Sequence, residues 1–212
     1  TLIYSGGSDS YTLLNYALSK NILVDCLTFG YGQKHNKEID FASNVCEELN
    51  LKHLIIDISN SKTIFGNSSL TSIESKIPHG SYKEETMKST VVPNRNMIFL
   101  SYAIAYSIAH NIKEVWYGAH AGDHFIYPDC RPEFLDAMNT VAGLCDPSET
   151  KIEAPFINFT KGEIIKIGLD LNLDYSKAWT CYEGKQNPCS KCGSCVERAE
   201  AFSDNNAVDP LI

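Results

Sequence analysis

Ser5-Gly6-Gly7-Ser8-Asp9-Ser10 constrains the fold more than any other stretch of the chain. An apolar run, Leu2-Ile3-Tyr4, enters it, and a helical pattern leaves it with Leu13, Leu14, Ala17 and Leu18 on one face. Two glycines let the backbone turn sharply and approach a ligand with no Cβ in the way. Ser8 or Asp9 is expected to cap the helix. The unpaired N–H groups at a helix start lie at the positive end of the macrodipole, so the turn is a candidate anion site. It is not GxxxxGK[ST], because no lysine lies between Ser5 and Asn15, and it is not GxGxxG. A plain serine–glycine turn is the alternative, and the position between strand and helix favours phosphate.

The pattern then repeats. Ile22 to Phe29 is a mostly apolar run suited to a strand covered on both faces. A helix with Ile39, Ala42, Val45, Cys46 and Leu49 follows, with Asn50 as its stop, and His53 to Ile58 reads as a third strand. Glu114 to Gly118 and Ile152 to Phe156 supply the fourth strand and a fifth, edge strand. Strands alternating with helices predict an α/β fold, a Rossmann-like parallel five-stranded sheet with helices on both faces. Ligands of such sheets lie beyond the carboxyl ends of the strands. Ser5–Ser10 falls there, as does the turn from Thr28 to His35, where Phe29 is placed to lie against an adenine ring and Gln33, Lys34 and His35 form a polar rim. For Lys34 and His35 a solvated helix start is the alternative.

Val92-Pro93-Asn94-Arg95-Asn96 opens a helix from Met97 to about Asn111 whose apolar residues cover several faces, so it is expected to be largely buried. Arg95 at its start opposes the dipole, which points to an anionic ligand, a surface acid being the other reading. Ala119 to Arg131 follows the fourth strand with two acids, two histidines, aromatics and an arginine, where a substrate pocket belongs. His120 and His124 are four apart, but Gly122 between them argues against a helical metal pair. A helix then starts at Pro132-Glu133, and Thr160-Lys161-Gly162-Glu163 is a capping box. The polar stretch 59–92, with Gly66-Asn67-Ser68-Ser69 and Lys83-Glu84-Glu85, reads as a flap beside the substrate or as a surface excursion.

The 212 residues carry 26 acids against 18 bases, a formal charge of −8, which disfavours a protein that grips nucleic acid through its phosphates. No apolar stretch is long enough to span a membrane and no signal peptide is visible, so the expected compartment is the cytoplasm. Thr1 opens directly into a short strand, so a few preceding residues are expected in the native chain. Four of the eight cysteines crowd together as Cys181, Cys189, Cys192 and Cys195. Four thiolates in fifteen residues can close a tetrahedral zinc shell with no open position, in a tail too poor in apolar residues to fold unaided. An iron–sulfur cluster, a catalytic persulfide and disulfides are the competing readings.

The Ser-Gly-Gly-x-Asp-Ser turn resembles the PP-loop of ATP pyrophosphatases. Together with Val-Pro-Asn-Arg-Asn, Tyr127-Pro128-Asp129-Cys130-Arg131 and the late cysteines, it is similar to the 7-cyano-7-deazaguanine (preQ0) synthase family across nearly the whole chain. Asn94 stands where that family usually has glycine, and asparagine also tolerates αL geometry. The resemblance implies an adenine nucleotide alpha hydrolase-like domain over 1–172 and a zinc-binding segment over 173–212 packed on it. It implies a carbon–nitrogen ligase of queuosine biosynthesis that makes preQ0 from 7-carboxy-7-deazaguanine, ammonia and ATP with Mg²⁺, holding structural Zn²⁺ on the four cysteines. ATP contacts would come from Tyr4, Ser5, Gly6, Gly7, Ser8, Asp9, Ser10, Thr28, Phe29, Arg95 and Gly118. Catalytic roles would fall to Asp9, Lys34, Arg95 and Asp123, and deazaguanine recognition to Asp123, Tyr127, Asp129 and Arg131. No stable nucleic acid or membrane partner is expected, and a homodimer is a candidate assembly. A related enzyme that stops at the amide or conjugates the activated deazaguanine, and a tRNA sulfurtransferase, remain as alternatives.

Overall fold

The computed structural model describes residues 1–72, 74–80, 87–147 and 150–212. Lys83-Glu84-Glu85 lie outside them. Strands β1 (Leu2–Ile3), β2 (Cys26–Gly30), β3 (His53–Asp57), β4 (Glu114–Trp116) and β5 (Lys151–Glu153) form one sheet. Its order is β3-β2-β1-β4-β5 and every neighbouring pair is parallel. The chain winds outward from β1 to β3, then returns to lay β4 on the other side of β1. Connections therefore diverge between β1 and β4, the switch point at which open parallel sheets bind ligands.

Helices α1 (Ser8–Ser19), α2 (Lys37–Glu48), α3 (Arg95–Ala109), α4 (Pro132–Cys145), α5 (Lys161–Asp170) and α6 (Gly193–Asp204) cover the sheet. Side chains alternate across a strand, so two cores form. On one face Leu27, Phe29, Phe99, Leu100 and Val115 pack together; on the other Leu2, Leu13, Leu14, Cys26, Val45, Ile164 and Phe202 do. The Thr160–Glu163 capping box is present in both directions and starts α5 as its sequence dictates. Asn21, Asn50, Asn111, Asn172 and Asn206 each adopt a positive φ of 50–59° just past a helix, the left-handed exit that satisfies the last carbonyls.

Three local expectations change. The strand predicted from Ile22 begins only at Cys26, because Asn21 and Ile22 donate to Leu18 and Ala17 carbonyls and so complete the end of α1, leaving Leu23 exposed. Helix α3 buries one face, through Phe99, Leu100, Ala103, Ile104 and Ser107, while Met97 and Tyr102 are exposed. The cap of α1 is Gly7 in extended geometry, with no side-chain cap from Ser8 or Asp9.

Within 59–92, Phe65, Leu70 and Met87 are buried, and Gly80 N–H donates to the Lys191 carbonyl. The described part of this segment is thus packed between the body and the cysteine cluster. Arg198 of α6 is only 1% exposed. Its guanidinium donates to both carboxylate oxygens of Asp209 (2.7 and 2.9 Å) and to the carbonyls of Ala178 and Tyr175 (2.5 and 2.9 Å), tying the end of the chain to the segment before the cysteines. No helix among the described residues is long and apolar enough to cross a membrane.

Candidate active site

A cleft of about 230 Å³ opens at the carboxyl ends of β1 and β4. The Ser5–Ser10 turn forms its floor. Gly6 has φ +85°, and a Cβ on it would come within 2.1 Å of the Glu38 carbonyl oxygen, so only glycine fits. Inside the turn, Ser10 Oγ receives the Ser5 N–H (3.2 Å) and donates to the Gly7 carbonyl (3.1 Å), bracing the bend. The start of α1 has no side-chain cap, and its residues Ser8, Asp9 and Ser10 line the cleft. Ser8 Oγ, Asp9 Oδ1, His35 Nδ1 and Tyr117 Oη belong to lining residues, are buried, and have no hydrogen-bond partner among the described residues; the same holds for Tyr4 Oη, Ser69 Oγ and His124 Nε2 outside the lining. Buried polar atoms in this condition are rare unless a ligand satisfies them.

The turn contains no lysine, yet one reaches it. Lys161, at the start of α5 and 7% exposed, places Nζ 2.5 Å from Asp9 Oδ2. Burial works to raise the Asp9 pKa, but Lys161 and then His120 outweigh it and hold the carboxylate below its usual range. His120, 2% exposed, accepts the Gly122 N–H at Nδ1 (3.2 Å), which leaves the proton on Nε2. That Nε2 lies 3.8 Å from Asp9 Oδ2 and 3.5 Å from Asp123 Oδ2. It thus links the carboxylates at the ends of β1 and β4.

Two further acids line the cleft. Glu197 from α6 has its pKa raised by burial, with Lys161 the strongest opposing charge and Asp123 a repelling one. Glu38 from α2 is raised to about 7, again mainly by burial, with Arg95 opposing. Arg95 keeps its guanidinium charge despite burial, stands 5.8 Å from the Tyr31 ring, and has no ion pair among the described residues. Its left-handed predecessor Asn94 (φ 60°) turns the chain into α3.

The four clustered thiols lie within 4.8 Å of one another. Backbone N–H groups of Glu183 and Cys189 donate to Cys181 Sγ (3.4 and 3.3 Å), and those of Lys191 and Cys192 to Cys189 Sγ (3.4 and 3.2 Å). Such donors stabilise thiolates, so the set fits a tetrahedral metal ion. Thr180, Tyr182, Ser194 and Glu197, which flank the cysteines, form a wall of the cleft.

The family model described as Queuosine biosynthesis protein QueC matches residues 1–206. The chain belongs to this family. A 7-cyano-7-deazaguanine synthase of Marinomonas sp. (strain MWYL1) is 50% identical over 210 residues, covering 99% of this chain and 95% of that protein. One of Colwellia psychrerythraea, 7-cyano-7-deazaguanine synthase 2, is 52% identical over 99% of this chain and 96% of its own length. Among solved structures, the U34-tRNA thiolase NcsA from Methanococcus maripaludis with its [4Fe-4S] cluster matches with a TM-score of 0.53 and 18% identity, over 96% of this chain and 63% of that one. NMN synthetase from Francisella tularensis gives 0.51 and 16%, over 88% and 68%. These two share the fold of the QueC chain.

Of the residues assigned from sequence, Ser5, Gly7, Ser8, Asp9, Ser10, Lys34, Arg95, Gly118, Asp123 and Tyr127 meet in the cleft. Lys34 Nζ is there bonded to the Ser75 carbonyl. Others lie elsewhere. Phe29 stacks on Phe99 at 4.2 Å inside the core, so its ring is not available to adenine. Tyr4 is buried beneath α1 and α2, and Thr28 Oγ1 donates to the Tyr4 carbonyl at 2.5 Å. Gly6 acts through its backbone. Asp129 accepts the Asn96 N–H (3.1 Å) at the start of α3, and Arg131 Nε donates to the His124 carbonyl (2.6 Å) on the exposed side. Lys161, Glu38 and Glu197 were missed. The usable signal for Lys161 was its place after β5, the edge strand beside β4, on the side of the sheet where ligands lie.

Proposed function

We propose that the chain converts 7-carboxy-7-deazaguanine and ammonia to 7-cyano-7-deazaguanine in two ATP-dependent steps, as a carbon–nitrogen ligase. A carboxylate resists attack until one oxygen carries a leaving group. In the first step that oxygen attacks the α-phosphorus of ATP, giving an acyl-adenylate, and pyrophosphate departs toward the uncapped start of α1. Ammonia displaces AMP to give the amide. A second ATP activates the amide oxygen, and loss of AMP leaves the nitrile. The protein contributes positioning and stabilisation of developing anionic charge, with no covalent intermediate. Lys161 and Arg95 supply the positive charge that the turn itself lacks. Mg²⁺, held through Asp9, would further screen the phosphates.

The observation carrying this reading is the concentration of orphaned buried atoms in the cleft lining, Ser8 Oγ, Asp9 Oδ1, His35 Nδ1 and Tyr117 Oη. The names of the near full-length relatives support the same product. The four cysteines hold a structural Zn²⁺ that fixes the wall carrying Tyr182 and Glu197, and 173–212 packs on the nucleotide domain as one unit. The enzyme works in the cytoplasm without nucleic acid, as the −8 charge favours. The test is mass spectrometry of products after incubation with 7-carboxy-7-deazaguanine, ammonium, Mg²⁺ and ATP. Nitrile with AMP and pyrophosphate is expected, and an amide that accumulates without nitrile would replace this reading with the amide-forming one.

A further inference from the structure

Asp129, one of the residues to which the resemblance assigned deazaguanine recognition, is engaged on Asn96. Glu38 meets the chemical requirement instead. It stands in the first turn of α2, lines the cleft, and has its carbonyl so close to Gly6 that the turn and Glu38 are held as one unit. Tyr31 and Phe99 line the same cleft with their rings 5.6 Å apart and tilted, so the wall beside Glu38 is aromatic, the Phe99 face being stacked on Phe29. Among the described residues no hydrogen bond acts on the Glu38 carboxylate. Burial and then the through-space charges of Arg95, Cys181 and Lys161 set its ionisation, and burial prevails. A bare acid in a cleft suited to polyphosphate needs a ligand that brings donors to it, since a half-buried carboxylate without hydrogen bonds is costly.

We propose that Glu38 reads the base of the substrate by accepting the ring N1–H and the 2-amino N–H of the deazaguanine side by side across its carboxylate. The inference rests on the reaction proposed above. The corresponding edge of adenine presents a donor beside an acceptor, of which a carboxylate can use only the donor, whereas the guanine-type edge presents two donors. This makes Glu38 a specificity-determining residue for the carboxylate substrate rather than for ATP.

The test compares wild type, Glu38→Gln and Glu38→Asp on 7-carboxy-7-deazaguanine and on its analogue lacking the 2-amino group, by steady-state kinetics and calorimetric binding. Wild type is expected to prefer the 2-amino compound by roughly 100-fold in kcat/KM, the worth of one charge-assisted bond in a desolvated site. Glu38→Gln should compress that preference to about threefold while KM for ATP stays within about twofold, with Glu38→Asp intermediate. The unchanged ATP constant shows that the cleft is intact. A preference that survives in Glu38→Gln overturns the assignment. Equal losses on both deazaguanines also overturn it, by marking a structural residue. Altered discrimination between ATP and its analogue lacking the 6-amino group would make Glu38 a reader of adenine and would overturn it as well. Failure of wild type to bind or convert either deazaguanine would instead remove the underlying reaction, and the inference with it.

Discussion

Lys161 and Asp9, 152 positions apart in the chain, meet at 2.5 Å beside the first turn of α1. The contact supplies the cation that the Ser5–Ser10 turn does not contain. Asp9 has a depressed pKa when folded, so its stabilising contribution stands above its ordinary value of 3.8 and fades as the pH falls below it. Lys161 is raised: burial works against its charge, but Asp9 and then Glu197 prevail, and its contribution stands below the ordinary 10.5 and fades above it.

Lys161→Met should therefore destabilise the protein at neutral pH by about 2–4 kcal/mol, since it leaves Asp9 buried without its partner. Substrate-dependent exchange of labelled pyrophosphate into ATP should fall about 100-fold or more. Exchange at the wild-type rate would exclude Lys161 from the phosphate site.

Glu38 carries the opposite sign. An acid whose pKa is raised on folding, here from 4.5 to about 7, binds its proton more tightly when folded. The fold gains from that proton below 4.5, and the gain is lost as the pH rises through 7. Glu38→Gln should raise the Tm of the ligand-free protein at pH 8, by the equivalent of about 1–3 kcal/mol, and lose the advantage near pH 4. A Tm difference independent of pH would contradict this.

Arg198 and Asp209 form a buried pair that joins α6, the Tyr175–Thr180 segment and the end of the chain. Arg198→Met should cost about 3–5 kcal/mol in denaturant unfolding, because Asp209 and two carbonyls lose their donors together. A cost under about 1 kcal/mol would mean that the pair is dispensable.

Metal analysis should find one zinc per chain and no iron. Cys192→Ser or chelation should lower the Tm and weaken substrate binding together, because Tyr182, Ser194 and Glu197 are carried by the same segments as the thiols. Full binding by a zinc-free chain would separate the cluster from the cleft.

What was legible in the sequence was local. The strand–glycine–helix turn at Ser5–Ser10, the capping box at Thr160–Glu163 and the spacing of the cysteines each depend on neighbours within one segment, and each forms as its residues dictate. The parallel pairing of the five strands followed because helices and right-handed crossovers join them, whereas their order came only from the fold. The direction of a side chain across the sheet was not legible. Phe29 belongs to a buried strand, but only the position of α3 decides that its ring meets Phe99 rather than a ligand. Asp129 likewise sits in a polar stretch beyond β4, and its engagement depends on Asn96 of a helix earlier in the chain. Lys161 read as an ordinary member of a capping box because its partner lies in another segment.

The five asparagine exits have a bearing on durability. A left-handed turn is open to glycine as well, and asparagine there restricts the unfolded chain more while accepting some backbone strain when folded. The side-chain amide is also among the groups that proteins of hot environments shed. The helix exits at Asn21, Asn50, Asn111, Asn172 and Asn206 are therefore the places where adaptation to heat would have to rewrite this scaffold.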